Sequence, residues 1–202
     1  MPLILSAVLI AIAVSLDGLV VGAAYGAQRI RLHAAGFGII GATSAVIVAV
    51  AQAAGGRVAA WLPPEWAGRL GGLMLIGVGV TFLWQQRASR AAPGRDGVAR
   101  GSRVVQIWRA PEAADADRSG TIDLREALTL GLALSMDAFG AGLGAAIGGW
   151  GGTLLPWFVG LAQITFVACG RFLGRRALAP IAARLGVLPA LLLIAVGLAR
   201  LA

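Results

Sequence analysis

Residues 3–24 read LILSAVLIAIAVSLDGLVVGAA, and residues 127–149 read ALTLGLALSMDAFGAGLGAAIGG. Each run has about the 20 apolar residues that an α-helix needs to cross a bilayer. Each carries a single carboxylate, Asp17 in the first and Asp137 in the second. The two acids sit in matching quartets 120 positions apart, Ser15-Leu16-Asp17-Gly18 and Ser135-Met136-Asp137-Ala138, and Gly22 then corresponds to Gly142. Four more apolar stretches, 34–54, 66–84, 153–172 and 185–201, bring the expected membrane helices to six. Ile76-Gly77-Val78-Gly79 in the third is echoed by Ile194-Ala195-Val196-Gly197 in the last. The middle pair matches only in carrying polar side chains at mid-depth, Thr43 and Ser44 against Gln163 and Thr165. Three helices per unit is an odd number, so the second unit must enter the membrane from the opposite side. The expected fold is an all-α membrane protein of six transmembrane helices in two inverted three-helix repeats, 1–84 and 127–202. They are joined by the polar segment 85–126, and a substrate site is expected between the repeats near the bilayer midplane.

Composition agrees. Apolar residues make up 58% of the 202 and mean hydropathy is +0.84, more than a soluble domain of this size can bury. Residues 3–24 have no preceding positive charge, so they read as a retained helix rather than a secretory leader. The thirty glycines suit helices that pack closely without a hydrophobic driving force. The net charge of +8 comes from seventeen arginines. Fourteen fall in the segments 29–31, 87–125 and 171–184, and three, Arg57, Arg69 and Arg200, lie on the other side. By the positive-inside rule the central loop faces the cytoplasm and both termini face outward. The expected location is a bacterial inner membrane, crossed several times. No interleaving of aromatic and basic residues supports a nucleic-acid partner; the lipid bilayer and divalent cations are the partners expected, and a homo-oligomer is compatible with the plan. Cys169 stands alone, which rules out disulfides and thiolate metal cages and leaves it as a small packing residue. Trp61, Trp66, Trp84 and Trp150 fall near helix ends, where tryptophan marks the interface.

Asp17 and Asp137 are the only two of nine acids inside the expected helices. A carboxylate near mid-membrane costs about 2.5–3.5 kcal/mol, and no arginine lies deep enough to pair with either. Two carboxylates together neutralise a divalent cation. Ser15, Ser135, Thr43, Ser44, Gln163 and Thr165 are candidates for further oxygens, and an all-oxygen shell suits magnesium, calcium or manganese. In a straight helix Ser15 and Asp17 point to different faces, so the serines are the weaker candidates. Exchange for protons is the expected coupling, since membrane carboxylates commonly relay them. An enzyme is not expected: His33, the one histidine, lies at a helix end, and no phosphate-binding loop signature is present.

A second constellation precedes the fourth helix. Asp115, Asp117, Ser119, Gly120, Thr121, Asp123 and Glu126 fit the twelve-residue EF-hand loop at every ligand position and at its sharp-turn glycine. Ile122 holds the apolar eighth position. The entering helix is poor, because Pro111 interrupts it, and no second loop of this kind is present to pair with the first. The exiting helix is the fourth membrane helix itself. Glu126 precedes Asp137 by eleven residues, about 16 Å of helix. The loop is expected to bind calcium or manganese and to regulate transport.

The paired Ser-x-Asp-[Gly/Ala] motifs, on a chain of this length, resemble the manganese efflux pump (MntP) family, and within it the YtaF-like sporulation membrane proteins. The resemblance implies manganese export from the cytoplasm, with Asp17 and Asp137 on the ion pathway. Residue chemistry alone reaches a hard divalent cation. It leaves open a calcium transporter of the same fold and a membrane protein of sporulation that docks or signals through the EF-hand-like loop without transporting.

Overall fold

The structure, a computed structural model, describes residues 3–63, 66, 69–78, 80, 115, 119–150, 152–176, 191, 193–195 and 198. Helix α1 spans Leu3–Ser15 and α2 spans Asp17–Ala27. Leu16 between them keeps helical dihedrals (φ −65°, ψ −23°), so the two form one rod. The chain continues through β1 (Arg31–Leu32), α3 (Ala34–Ala60) and the short apolar α4 (Arg69–Val78). After β2 (Thr121–Ile122) come α5 (Leu124–Ile147) and α6 (Leu155–Arg175). Four helices, Ile4–Ala27, Ala34–Ala60, Leu124–Ile147 and Leu155–Arg175, are long and apolar enough to cross a membrane. Helix α4 lies within the third expected stretch. Most of the rest of that stretch, and most of 185–201, fall outside the described residues.

Helix ends differ from the apolar runs for local reasons. Helix α3 continues six residues beyond 54, because Gly55, Gly56 and Arg57 do not break it. It closes where the Trp61 N–H turns to Val58 O, just before Pro63, which cannot continue a helix. Helix α5 starts three residues before 127 because Asp123 and Glu126 form a capping box. Glu126 N–H donates to Asp123 Oδ1 (2.7 Å) and Asp123 N–H to Glu126 Oε2 (3.1 Å).

Small residues set the helix pairing. A Cβ on Gly22 would meet Val167 O and Arg171 N, and one on Gly26 would meet Arg171 O and Arg175 N. Numbers rise together, so α2 and α6 run parallel. Likewise Gly36 faces Ala127, Gly131 faces Ile40 and Thr43, and Gly142 faces Val48 and Ala51, so α3 and α5 run parallel. Between α3 and α6 the order reverses: Gly41 meets Ile164 while Gly160 meets Ala45. Helix α5 therefore runs opposite to the α1–α2 rod. Gly41 and Gly160 also face each other's carbonyl, each at 2.8 Å from the ideal Cβ. With no apolar drive between helices in lipid, close approach of small residues is what packs them.

The halves match in detail. Gln28, Arg29 and Ile30 donate their N–H groups to the carbonyls of Ala24, Gly26 and Tyr25; Gly148, Gly149 and Trp150 donate to Gly144, Ala146 and Ala145. All six positions are displaced by 120, and Arg29 (φ 59°) and Gly149 (φ 72°) share the left-handed conformation. In the middle helices the displacement is 119. Gly36, Ile40, Gly41, Ser44, Val48, Ala51 and Gly55 are buried in α3, as are Leu155, Val159, Gly160, Gln163, Val167, Gly170 and Gly174 in α6.

Outward faces are apolar, with Val46, Val50, Leu132, Trp157 and Leu161 exposed, as lipid contact requires. Trp61 and Trp66, expected at the interface, are exposed. Trp150 does not. It is 6% exposed, its ring lying over Gly148 in a core with Ala7, Ile10, Val48, Ala138 and Leu193. Cys169 also departs from expectation, lying on the exposed face rather than in the packing.

Candidate ion-binding site

Asp17 and Asp137 lie on rods that run in opposite directions and are close enough to feel each other's charge. Each turns one oxygen to its own backbone: Gly18 N–H donates to Asp17 Oδ1 (2.6 Å), and Ala138 N–H donates to Asp137 Oδ1 (2.8 Å). Gln163 of α6 is 2% exposed, and its amide lies against Gly18, where a Cβ would sit 3.0 Å from Nε2. Gln163 turns this amide toward the Asp17 carboxylate, its Nε2 lying just outside strict hydrogen-bond geometry. A buried amide and a membrane carboxylate thus meet inside an apolar bundle.

The hydroxyls serve the helix contacts. Ser15 Oγ donates to Val159 O of α6 (3.3 Å). Ser135 Oγ donates to Gly131 O (2.5 Å) and pairs with Ser44 Oγ of α3 at 3.0 Å. Thr43 Oγ1 donates to Ile39 O (2.8 Å) against Gly131. Thr165 is exposed, its hydroxyl given to Leu161 O (2.8 Å), on an outer groove with Val8, Ile12 and Phe166. The structure thus brings Asp17, Asp137 and Gln163 together, keeps Ser15, Ser44, Ser135 and Thr43 as helix fasteners nearby, and leaves Thr165 facing out. No third carboxylate, histidine or cysteine joins them among the described residues.

Of the acidic loop the structure describes Asp115 and residues 119–126; Asp117 lies outside the described residues. Asp115 accepts from Ser119 N–H through Oδ1 and from Gly120 N–H through Oδ2, both at 2.9 Å. Gly120 takes φ 75°, the left-handed value that favours glycine at the sharp turn. Ser119 Oγ donates to Thr121 O (2.9 Å), and α5 begins at Leu124, the tenth loop position. Ile122 is 2% exposed and pairs in parallel with Leu32, while Arg31 N–H donates to Gly120 O at 2.8 Å. The acidic loop is thereby joined to the turn between α2 and α3. Arg171 Nη1 donates to Leu32 O (2.8 Å), tying that turn to α6.

A family profile described as "Putative manganese efflux pump" matches residues 3–83 and 102–201, nearly the whole chain. The chain belongs to the MntP family. It is also similar to "Probable sporulation protein YtaF" of Bacillus subtilis (strain 168), with 33% identity over 213 aligned residues that cover 97% of this chain and 98% of the relative. No solved structure matches. Membership of the MntP family makes this a multi-pass membrane protein of a transporter family, and the paired aspartate motifs fall within the matched residues.

Proposed function

We propose that this MntP-family protein exports a divalent cation, manganese, from the cytoplasm through a site formed by Asp17, Asp137 and Gln163 between two inverted three-helix repeats. The carrying observation is that two membrane carboxylates on oppositely directed rods sit within reach of each other's charge, with the buried Gln163 amide turned toward one of them. Matched turns 120 positions apart and matched buried faces 119 apart support the repeat. Two aspartates, joined by the Gln163 carbonyl once that amide turns its oxygen to an ion, would form a hard-oxygen set, which fits manganese, calcium or magnesium; the family supplies manganese. Protons are the proposed exchange ion. The arginine-bearing turn 28–33, the acidic loop and the end of α6 meet at one end of the bundle, which supports placing all three in the cytoplasm.

Manganese flux into proteoliposomes tests the reading directly. Concentrative or proton-driven manganese transport, outcompeting calcium, is the expected result; a folded protein that moves no divalent cation would favour the sporulation role in the relative's name. Gln163→Leu should weaken apparent manganese affinity about tenfold, since a polar ligand to a charge is worth about 1.5–3 kcal/mol. Its maximal rate should fall less.

The acidic loop is proposed as a cytoplasmic metal sensor. Its ordered turn at Gly120 and its bond to Leu32, which Arg171 holds to α6, support a path to the membrane helices. Glu126→Gln should weaken loop binding, seen by calorimetry, and shift the cation dependence of flux by about 5- to 150-fold, the span of ordinary coupling energies. Transport itself should persist. A loop that stays empty at millimolar calcium and manganese would remove the sensor.

A further inference from the structure

A cavity of about 540 Å³ opens where α2 and α6 end, lined by Gly26, Ala27, Arg29, Arg31, Gly174 and Arg175. Three of the six are arginines, and the other three are glycine or alanine, which leave the space unfilled. No carboxylate among the described residues bonds to Arg29, Arg31 or Arg175. Arg31 and Arg175 each also lie within electrostatic reach of Arg171, so positive charge is concentrated here. Arg171 is committed to Leu32 O; the cavity-lining three are not. Membrane topology explains why arginines lie on this side, but not why three converge on one cavity.

Arg29 adds an independent observation. Its φ of 59° is the left-handed conformation, strained for any side chain, and it is the one non-glycine residue to adopt it among those described. The matching turn 120 positions later places Gly149 there, with the same three backbone hydrogen bonds. The turn does not need a side chain at that position. Retained strain of this kind points to a use for the residue that bears it, and Arg29 lines the cavity.

We propose that this cavity binds the phosphate of an anionic phospholipid headgroup. Guanidinium groups chelate phosphate oxygens through paired N–H donors, and basic pockets between membrane helices on the cytoplasmic side are where headgroups are held. The cavity lies at the ends of two helices long and apolar enough to cross a membrane. Just beside it Phe172 is 55% exposed, with the Arg176 guanidinium 4.2 Å above its ring. This gives an apolar surface for the acyl chain under a cationic edge. The site is separate from the aspartate pair and stands whether or not manganese is the cargo.

The test uses the purified full-length protein in a neutral detergent, read by thermal unfolding and by native mass spectrometry. Phosphatidylglycerol should raise the melting temperature by several degrees and give retained lipid adducts, while phosphatidylcholine and millimolar inorganic phosphate should do neither. Arg29→Gly should fold at least as well as the parent, since glycine relieves the strained φ, yet lose most of the phosphatidylglycerol shift. Arg175→Gln, outside the turn, should weaken lipid binding about tenfold as well. An equal shift from inorganic phosphate would make the ligand a soluble phosphate and overturn the lipid assignment. An equal response to phosphatidylcholine, or a full phosphatidylglycerol response in both variants, would overturn the site.

Discussion

Asp17→Asn or Asp137→Asn alone should reduce manganese flux by about two orders of magnitude or more while leaving a folded and, without metal, slightly more stable protein. The two halves of this expectation have one physical origin. A carboxylate in a membrane helix costs about 2.5–3.5 kcal/mol, and the described residues offer neither acid an arginine partner. Asparagine keeps the shape and removes that cost, so thermal stability of the metal-free variant should hold or rise. With metal present the sign reverses. One remaining carboxylate cannot neutralise a divalent ion, and removing one member of a buried charge set costs about 3–5 kcal/mol. The double variant should transport no worse than either single one, because groups that act as a unit are non-additive. Flux in proteoliposomes, beside unfolding curves in detergent, separates the outcomes. A single variant with near-parental flux would end the shared site. A single variant that fails to fold would make the acids structural.

The membrane class and the family were legible because the first depends on composition and the second on rare residues in improbable places. Asp17 and Asp137 stand out in apolar runs, and the loop from Asp115 to Glu126 stands out by its spacing. Helix termini were less legible. Capping by Asp123 and Glu126 overrides hydropathy at the start of α5, and the glycine pair at 55–56 lets α3 run on to Ala60. The middle helices gave no register. Polar content pairs Thr43 and Ser44 with Gln163 and Thr165, but burial pairs Ser44 with Gln163 and turns Thr165 outward. The glycines held the signal: Gly41-x-x-Ser44 and Gly160-x-x-Gln163 align once the contact glycine, rather than the polar residue, sets the frame. The joining of Ile122 to Leu32 had no sequence signal, since a two-residue bridge between distant turns leaves no periodicity.

Gly22→Ala should be severe and Gly142→Ala mild, although the sequence repeat makes the two positions equivalent. A Cβ on Gly22 would fall on the backbone of α6, at Val167 O and Arg171 N, and backbone cannot move without displacing the helix. A Cβ on Gly142 would meet side chains first, Ala51 Cβ and Val48 Cγ1 at 3.3 Å, which yield by a few tenths of an ångström. Overpacking of the first kind costs about 1–3 kcal/mol or more, and each kcal/mol lowers the melting temperature by about 2–4 °C in a chain of this size. Gly22→Ala, and Gly170→Ala from the other side of the same contact at Leu19 O, should therefore each lose several degrees. Gly142→Ala should lose about one or two. Gly38→Ala and Gly56→Ala, with nothing within 4 Å of the added methyl, serve as the zero of the scale and gain slightly from helix propensity. The transport consequence follows the same ranking. Pushing α2 from α6 separates Asp17 from Gln163, so Gly22→Ala should lose manganese affinity as well as stability, whereas Gly142→Ala should keep both. Equal losses at Gly22 and Gly142 would mean that the α2–α6 and α3–α5 contacts are equally close, and the asymmetric packing around the aspartates would have to be abandoned.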